Sequence, residues 1–142
     1  MKEVLLVEDD FVDAQTVRRA VKDLGLSYNI KHVTNGQEAI DYLASDDVQY
    51  PHFILLDINM PIMNGIEFLE ARKNVKNAIM IPVIVLTTSQ YETDRLRCFE
   101  SSIAGYMVKP VDYQDFIGVV KAIDEYWSLS EYPQMDLLRV TK

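Results

Sequence analysis

A chain of 142 residues with net charge −8 and 49% hydrophobic residues is long enough for one domain with a core of its own, and it carries no Lys/Arg cluster able to neutralise nucleic-acid phosphates. Its single cysteine, Cys98, excludes an internal disulfide and suits a reducing, cytoplasmic compartment. The opening apolar run Val4 to Val7 is too short for a secretory core and no stretch approaches the ~20 apolar residues of a membrane helix, so neither DNA nor a membrane is an expected partner.

The first element, Val4-Leu5-Leu6-Val7, reads as a buried strand and ends in Glu8-Asp9-Asp10. Val17, Ala20, Val21 and Leu24 then recur at helical spacing until Gly25 stops the helix. Tyr28 to Val33 alternates as a second strand. Asn35 opens a second helix with Glu38 as its capping-box partner and Ala39, Ile40 and Leu43 as its apolar face. Phe53 to Leu56 is a third strand, which ends on Asp57, and Asn64 or Gly65 begins a helix carrying Ile66, Phe68 and Leu69. Pro82 to Leu86 is the fourth strand and runs into Thr87-Thr88. Ser89 and Glu92 predict another capping box, before a helix whose apolar residues are Leu96 and Phe99. Tyr106 to Val108 is a short fifth strand followed by Lys109-Pro110, and Asp112 caps a last helix with Phe116, Val119, Val120, Ile123 and Trp127 on one stripe. The residues after Trp127 are polar and mixed and read as a tail.

Strict alternation of strand and helix predicts an α/β domain, a parallel sheet with helices on both faces. Continuous apolar strands such as Phe53-Ile54-Leu55-Leu56 fit burial on both sides. One domain over residues 1–127 and a C-terminal tail over 128–142, with no output domain, is the expected organisation.

In such a sheet ligands bind beyond the carboxyl ends of the strands. Glu8, Asp9, Asp57, Thr87 and Lys109 all stand at strand ends, so neighbouring strands would crowd them at one edge. Two carboxylates ~4 Å apart repel by several kcal/mol at a surface-like dielectric. An all-oxygen cluster of this kind calls for a compensating cation and suits Mg²⁺, which takes one or two carboxylates and a substrate phosphate. With metal and Lys⁺ absorbing the developing charge, Asp57 can attack phosphorus and form an aspartyl phosphate.

The motifs LLVEDD, FILLDINMP followed by NG, VIVLTTS and GYMVKP, in that order, resemble the receiver domain of two-component response regulators over roughly residues 2–127. The resemblance implies a flavodoxin-like (βα)5 doubly wound sandwich with a five-stranded parallel sheet in the order 2-1-3-4-5. It implies that Asp57 is the phospho-acceptor, converted to 4-aspartylphosphate by the phosphohistidine of a sensor histidine kinase. It assigns Mg²⁺ to Glu8, Asp9, Asp57 and the backbone carbonyl of Asn59. Thr87 corresponds to the hydroxyl that bonds the phosphoryl group, Lys109 to the lysine that pairs with it, and Tyr106 to the aromatic switch that follows Thr87. Pro110 corresponds to the family's cis-proline. The stretch KPVDYQDFIGVVKAIDEYWSLSEYP is similar to small stand-alone regulators paired with phytochrome-type kinases, in which the last helix and tail take part in homodimer contacts.

Three rivals meet the same residues. A haloacid-dehalogenase-type phosphatase needs a general acid two residues after the nucleophile, where this chain has Asn59. A flavin-binding relative would bring its phosphate against Glu8-Asp9-Asp10, which repels it. A pseudo-receiver acting as a non-phosphorylated binding module would lack Asp57, Lys109 or an acid, and all are present. The expectation is therefore a phospho-accepting signalling protein that catalyses only its own phosphotransfer and dephosphorylation. His32 and His52 are expected at the surface, and Met60, Met63 and Met107 are expected to fill gaps in core or loops.

Overall fold

The computed structural model describes residues 1–134; the end of the expected tail, residues 135–142, lies outside the described residues. The strands are β1 (Lys2–Val7), β2 (Tyr28–Val33), β3 (Phe53–Leu56), β4 (Val83–Thr87) and β5 (Gly105–Val108). They alternate with α1 (Phe11–Asp23), α2 (Gly36–Ala44), α3 (Gly65–Ala71), α4 (Glu92–Glu100) and α5 (Tyr113–Leu129), with two short 3-10 turns between α3 and β4. All pairings are parallel and the sheet order is β2-β1-β3-β4-β5, the flavodoxin-like arrangement that the sequence predicts.

The period-2 geometry of the strands divides the core in two. Leu5, Val7, Ile54, Leu56, Val83 and Val85 face α2, α3 and α4, where Leu43, Phe68, Leu69 and Cys98 meet them. Val4, Leu6, Phe53, Leu55, Ile84 and Leu86 face α1 and α5, with Val17, Ala20, Phe116, Val120 and Ile123 opposite. Burial of each such side chain is worth about 1.5–3 kcal/mol, so β3, buried along its whole length, is a rigid mount for whatever follows it. The order reverses between β1 and β3: the chain leaves β1 towards β2 on one side and continues from β3 on the other. A crevice opens there, above the pairing of Val7 with Leu56.

Local signals were realised unevenly. Asp10 caps α1 through Val12 and Asp13 N–H, Asp112 caps α5, and Asn64 with Glu67 forms a full capping box on α3. Asn35 caps α2, but the Glu38 carboxylate reaches past it to the N–H and hydroxyl of Thr34. Ser89 and Glu92 make no capping box: Tyr91 is the N-cap of α4 without a side-chain bond, and Ser89 Oγ donates to Asp94 instead. Leu96 and Phe99 are exposed, and α4 buries Cys98 alone. The Lys109–Pro110 bond is trans, as every peptide bond among the described residues is, in keeping with the intrinsic preference of X-Pro bonds. His32 and His52 are half-buried rather than surface groups, because each ring serves the backbone: His32 Nε2 meets the Glu8 carbonyl, and His52 Nδ1 accepts the Glu3 N–H. Met60 is in the core, with Met63 and Met107 packed against it.

Helix α5 runs two residues past Trp127, whose indole stacks on Phe53 with ring centroids 6.4 Å apart. Tyr132 then folds back edge-on to His52, centroids 4.9 Å apart, so the chain just beyond the helix lies against the bottom of the sheet. No helix of the described residues is long and apolar enough to cross a membrane.

Candidate functional site

Glu8, Asp9, Asp57, Thr87 and Lys109 stand at the carboxyl ends of strands, while Asn59 lies in the loop after β3 and Tyr106 within β5. Glu8 follows β1, and its N–H is bonded to the Val33 carbonyl at 3.0 Å, one step beyond the β1–β2 ladder. Asp57 follows β3, with its N–H on the Val7 carbonyl at 3.0 Å. Thr87 is the last residue of β4, and its carbonyl accepts the Lys109 N–H at 2.7 Å. The sheet register thus puts Glu8 beside Asp57 and Lys109 beside Thr87. The β3–α3 loop is fixed from behind by Gly65, whose N–H bonds the Ile58 carbonyl at 2.8 Å.

Glu8 and Asp57 are buried and Asp9 is half-buried. One carboxylate oxygen from each lies within 4.8 Å of the others. Asp57 Oδ1 accepts the Ile58 N–H at 2.7 Å, and Oδ2 faces Lys109 Nζ at 3.5 Å. The ammonium lies nearer two other carboxylates, at 2.5 Å from Glu8 Oε1 and 2.7 Å from Asp13 Oδ2. Burial pushes the Glu8 carboxyl well above its usual range; the Lys109 bond opposes this and the Asp57 charge adds to it. For Lys109 burial works against the charge, but the bonds to Asp13 and Glu8 and the charges of Asp57 and Glu8 outweigh it and hold the ammonium above its usual range.

Three carboxylates converge on one point with hard oxygen donors only, and one lysine offsets a part of their charge. That donor set fits a divalent cation of the magnesium type, which lowers the repulsion that burial of Glu8 and Asp57 imposes. Asn59 is exposed at the mouth of the same loop.

Thr87 is fully buried, and its Oγ1 accepts the Ser89 N–H at 3.3 Å. Tyr106 is half-buried against the core, and its hydroxyl donates to the Ser89 carbonyl at 3.0 Å while Arg95 lies over its ring at 5.4 Å. The structure therefore brings together Glu8, Asp9, Asp57 and Lys109 in one crevice. Thr87 and Tyr106 are joined on the adjoining strands through Ser89. Sequence reasoning missed Asp13, which reads as an ordinary acid in the first turn of a helix, and it missed the bonds by which Ser89 joins Thr87 to Tyr106.

Comparison with known proteins agrees with this arrangement. Residues 4–121 match the model of the response regulator receiver domain. The probable methanogenesis regulatory protein FilR2 of Methanothrix harundinacea (strain 6Ac) is 35% identical, over 87% of this chain and 82% of that one. Response regulator Rcp1 of Synechocystis sp. (strain PCC 6803) is 31% identical over 89% of this chain and 88% of its own length. The structure of its Mn²⁺-bound form superposes with a TM-score of 0.83, over 94% of this chain and 99% of that one, at 30% identity. The phosphorylated cyanobacterial phytochrome response regulator RcpA superposes with a TM-score of 0.86 at 30% identity and the same coverage. With a match that reaches all five strands and the first half of the last helix, the chain belongs to the response regulator receiver domain family, the signal-receiving module of two-component systems.

Proposed function

We propose that Asp57 accepts a phosphoryl group from the phosphohistidine of a sensor histidine kinase and becomes 4-aspartylphosphate. The observation that carries this reading is Asp57 itself, a carboxylate on the rigid end of β3 with one oxygen anchored by Ile58 N–H and the other turned to a lysine. In the step, the Asp57 oxygen forms a bond to phosphorus as the nitrogen–phosphorus bond of the donor breaks and the imidazole departs. Glu8, Asp9, Asp57 and the Asn59 carbonyl would hold Mg²⁺, which when bound neutralises charge on the transferring phosphoryl oxygens. Lys109 pairs with a phosphoryl oxygen, and the Thr87 hydroxyl donates to another. Tyr106 follows Thr87 and alters the face formed by α4, β5 and α5, through which the signal leaves as a changed protein–protein contact.

The kinase partner is proposed to be of phytochrome type, on the likeness to RcpA. A homodimer through α5 and the tail is proposed with it, and a cytoplasmic location, without DNA binding. Of the tail, residues 135–142 lie outside the described residues.

Intact-mass spectrometry after acetyl phosphate and Mg²⁺ tests the acceptor. One labile phosphoryl adduct on wild type and none on Asp57→Asn is the expected result. An adduct of equal yield on Asp57→Asn refutes the assignment.

A further inference from the structure

Lys109 has three N–H donors and three carboxylates around it, but it does not share itself evenly. Its Nζ lies 2.5 Å from Glu8 and 2.7 Å from Asp13, while Asp57 Oδ2 is at 3.5 Å, the limit of a hydrogen bond. Asp57 Oδ1 is already taken by Ile58 N–H at 2.7 Å, so Oδ2 is the oxygen left free to react. A lysine seated directly on Oδ2 would neutralise the nucleophile. Asp13 is what draws the ammonium the other way. It stands in the first turn of α1, half-exposed, and it is not among the three acids whose oxygens converge on a cation position.

We propose that Asp13 is a positioning residue for Lys109. It holds the ammonium over the pocket but off Asp57, at the place where an incoming phosphoryl oxygen would arrive. The inference rests on the reading of Asp57 as acceptor. Without Asp13 the ammonium keeps Glu8 and closes on Asp57 Oδ2, so that attack on phosphorus must first break an ion pair. The bond between Lys109 and Asp13 also links α1 to the residue that follows β5.

The test compares wild type with Asp13→Asn, Asp13→Glu and Asp10→Asn. The last is a charge control: Asp10 is exposed, caps α1 through its side chain, and Asn caps as well as Asp does. The readouts are the rate of the acetyl phosphate reaction in Mg²⁺ by intact mass and the ¹H–¹⁵N signal of the Lys109 ammonium in the absence of phosphoryl donor. Asp13→Asn should slow the reaction about tenfold, the effect of losing one charge-assisted bond that positions a group. It should also shift the Lys109 ammonium signal. Asp13→Glu should recover most of the rate, and Asp10→Asn should leave the Lys109 signal where it is in wild type. An Asp13→Asn protein with wild-type rate and unmoved signal overturns the proposal, and so does an equal slowing by Asp10→Asn, which would reduce the effect to general charge. A wild type that takes no phosphoryl group defeats the acceptor reading instead, while the ammonium signal still decides whether Asp13 holds Lys109.

Discussion

Gly65 makes the geometry of Asp57 testable from behind. It is the first residue of α3, it is buried, and its N–H closes the β3–α3 loop on the Ile58 carbonyl at 2.8 Å. A β-carbon there would lie 2.5 Å from the Asp57 carbonyl oxygen and 2.8 Å from Ile58 Cα. Both are backbone atoms of the residues that aim the nucleophile, and neither can rotate away. Comfortable contact needs roughly 3.5 Å, so Gly65→Ala must open the loop by about 1 Å. Overpacking of this kind costs about 1–3 kcal/mol. In a domain of this size that lowers Tm by about 2–4 °C for each kcal/mol. The larger effect is on reaction: a misplacement of about 1 Å in the nucleophile can slow attack by a factor on the order of 100. Thermal melting by circular dichroism and the acetyl phosphate reaction by intact mass measure the two separately. A variant with wild-type Tm and wild-type rate would mean that the loop yields freely and that backbone shape at Gly65 does not aim Asp57.

Gly118→Ala is the natural contrast: this exposed glycine inside α5 has open space where a β-carbon would stand, so the variant should gain about 0.5–1 kcal/mol in urea unfolding, and a loss would be the contrary result. Arg72 is fully buried and its guanidinium donates to the carbonyls of Ser101 at 2.6 Å and Ser102 at 3.3 Å; Arg72→Ala should cost about 2–4 kcal/mol, and an unmoved urea midpoint would deny that it clamps the turn after α4. Burial pushes the Cys98 thiol up to about 11, so it should resist iodoacetamide at pH 8 and react only in denaturant; since the unfolded thiol ionises from about 9, its share of stability is intact below that pH and is lost as pH rises through 11. Fast labelling of the native protein would contradict the burial. Lys109→Ala should still take a phosphoryl group at Asp57 but lose the change in surface contacts, and wild-type-like activated dimerisation in that variant, read by gel filtration, would remove Lys109 from the coupling.

What the sequence could show of this molecule is what repeats or ends. Strand β3 reads as buried because all four of its residues are apolar, and the carboxyl-end rule then places Asp57 without further information. Glu8, Thr87 and Lys109 follow by the same rule, while the strand order comes only with the resemblance to the receiver family. The hidden part is whatever depends on a partner distant in sequence. Arg72 carries no mark of burial in the sequence, yet among the described residues it is the largest side chain with almost no exposure, because the chain returns over it at Ser101. Asp13 is separated from Lys109 by most of the chain, and an acid in a first turn is already explained by the helix dipole. Leu96 and Phe99 have helical spacing but face outward, since spacing identifies a stripe and not the side on which the core lies.

Ser89 shows how the proposed signal could leave the pocket with little cost. Its N–H is held by Thr87 Oγ1, its carbonyl accepts the Tyr106 hydroxyl, and its Oγ donates to Asp94 in the first turn of α4 at 2.7 Å. A phosphoryl oxygen that claims the Thr87 hydroxyl would therefore disturb one residue bonded to both the aromatic switch and the helix. Resistance to such a movement comes from buried apolar contact, and α4 has little: Cys98 is its one buried residue, while Phe99 and Leu96 are more than half exposed. At its far end the turn of Ser101 and Ser102 is fixed to Arg72. The helix is thus tied at its C-terminal end through Ser101 and Ser102, by the buried Cys98 close to that end, and at its N-terminal end by a few polar bonds. A swing about Ser101 would have to break the bonds of Ser89 and carry Arg95 away from the Tyr106 ring.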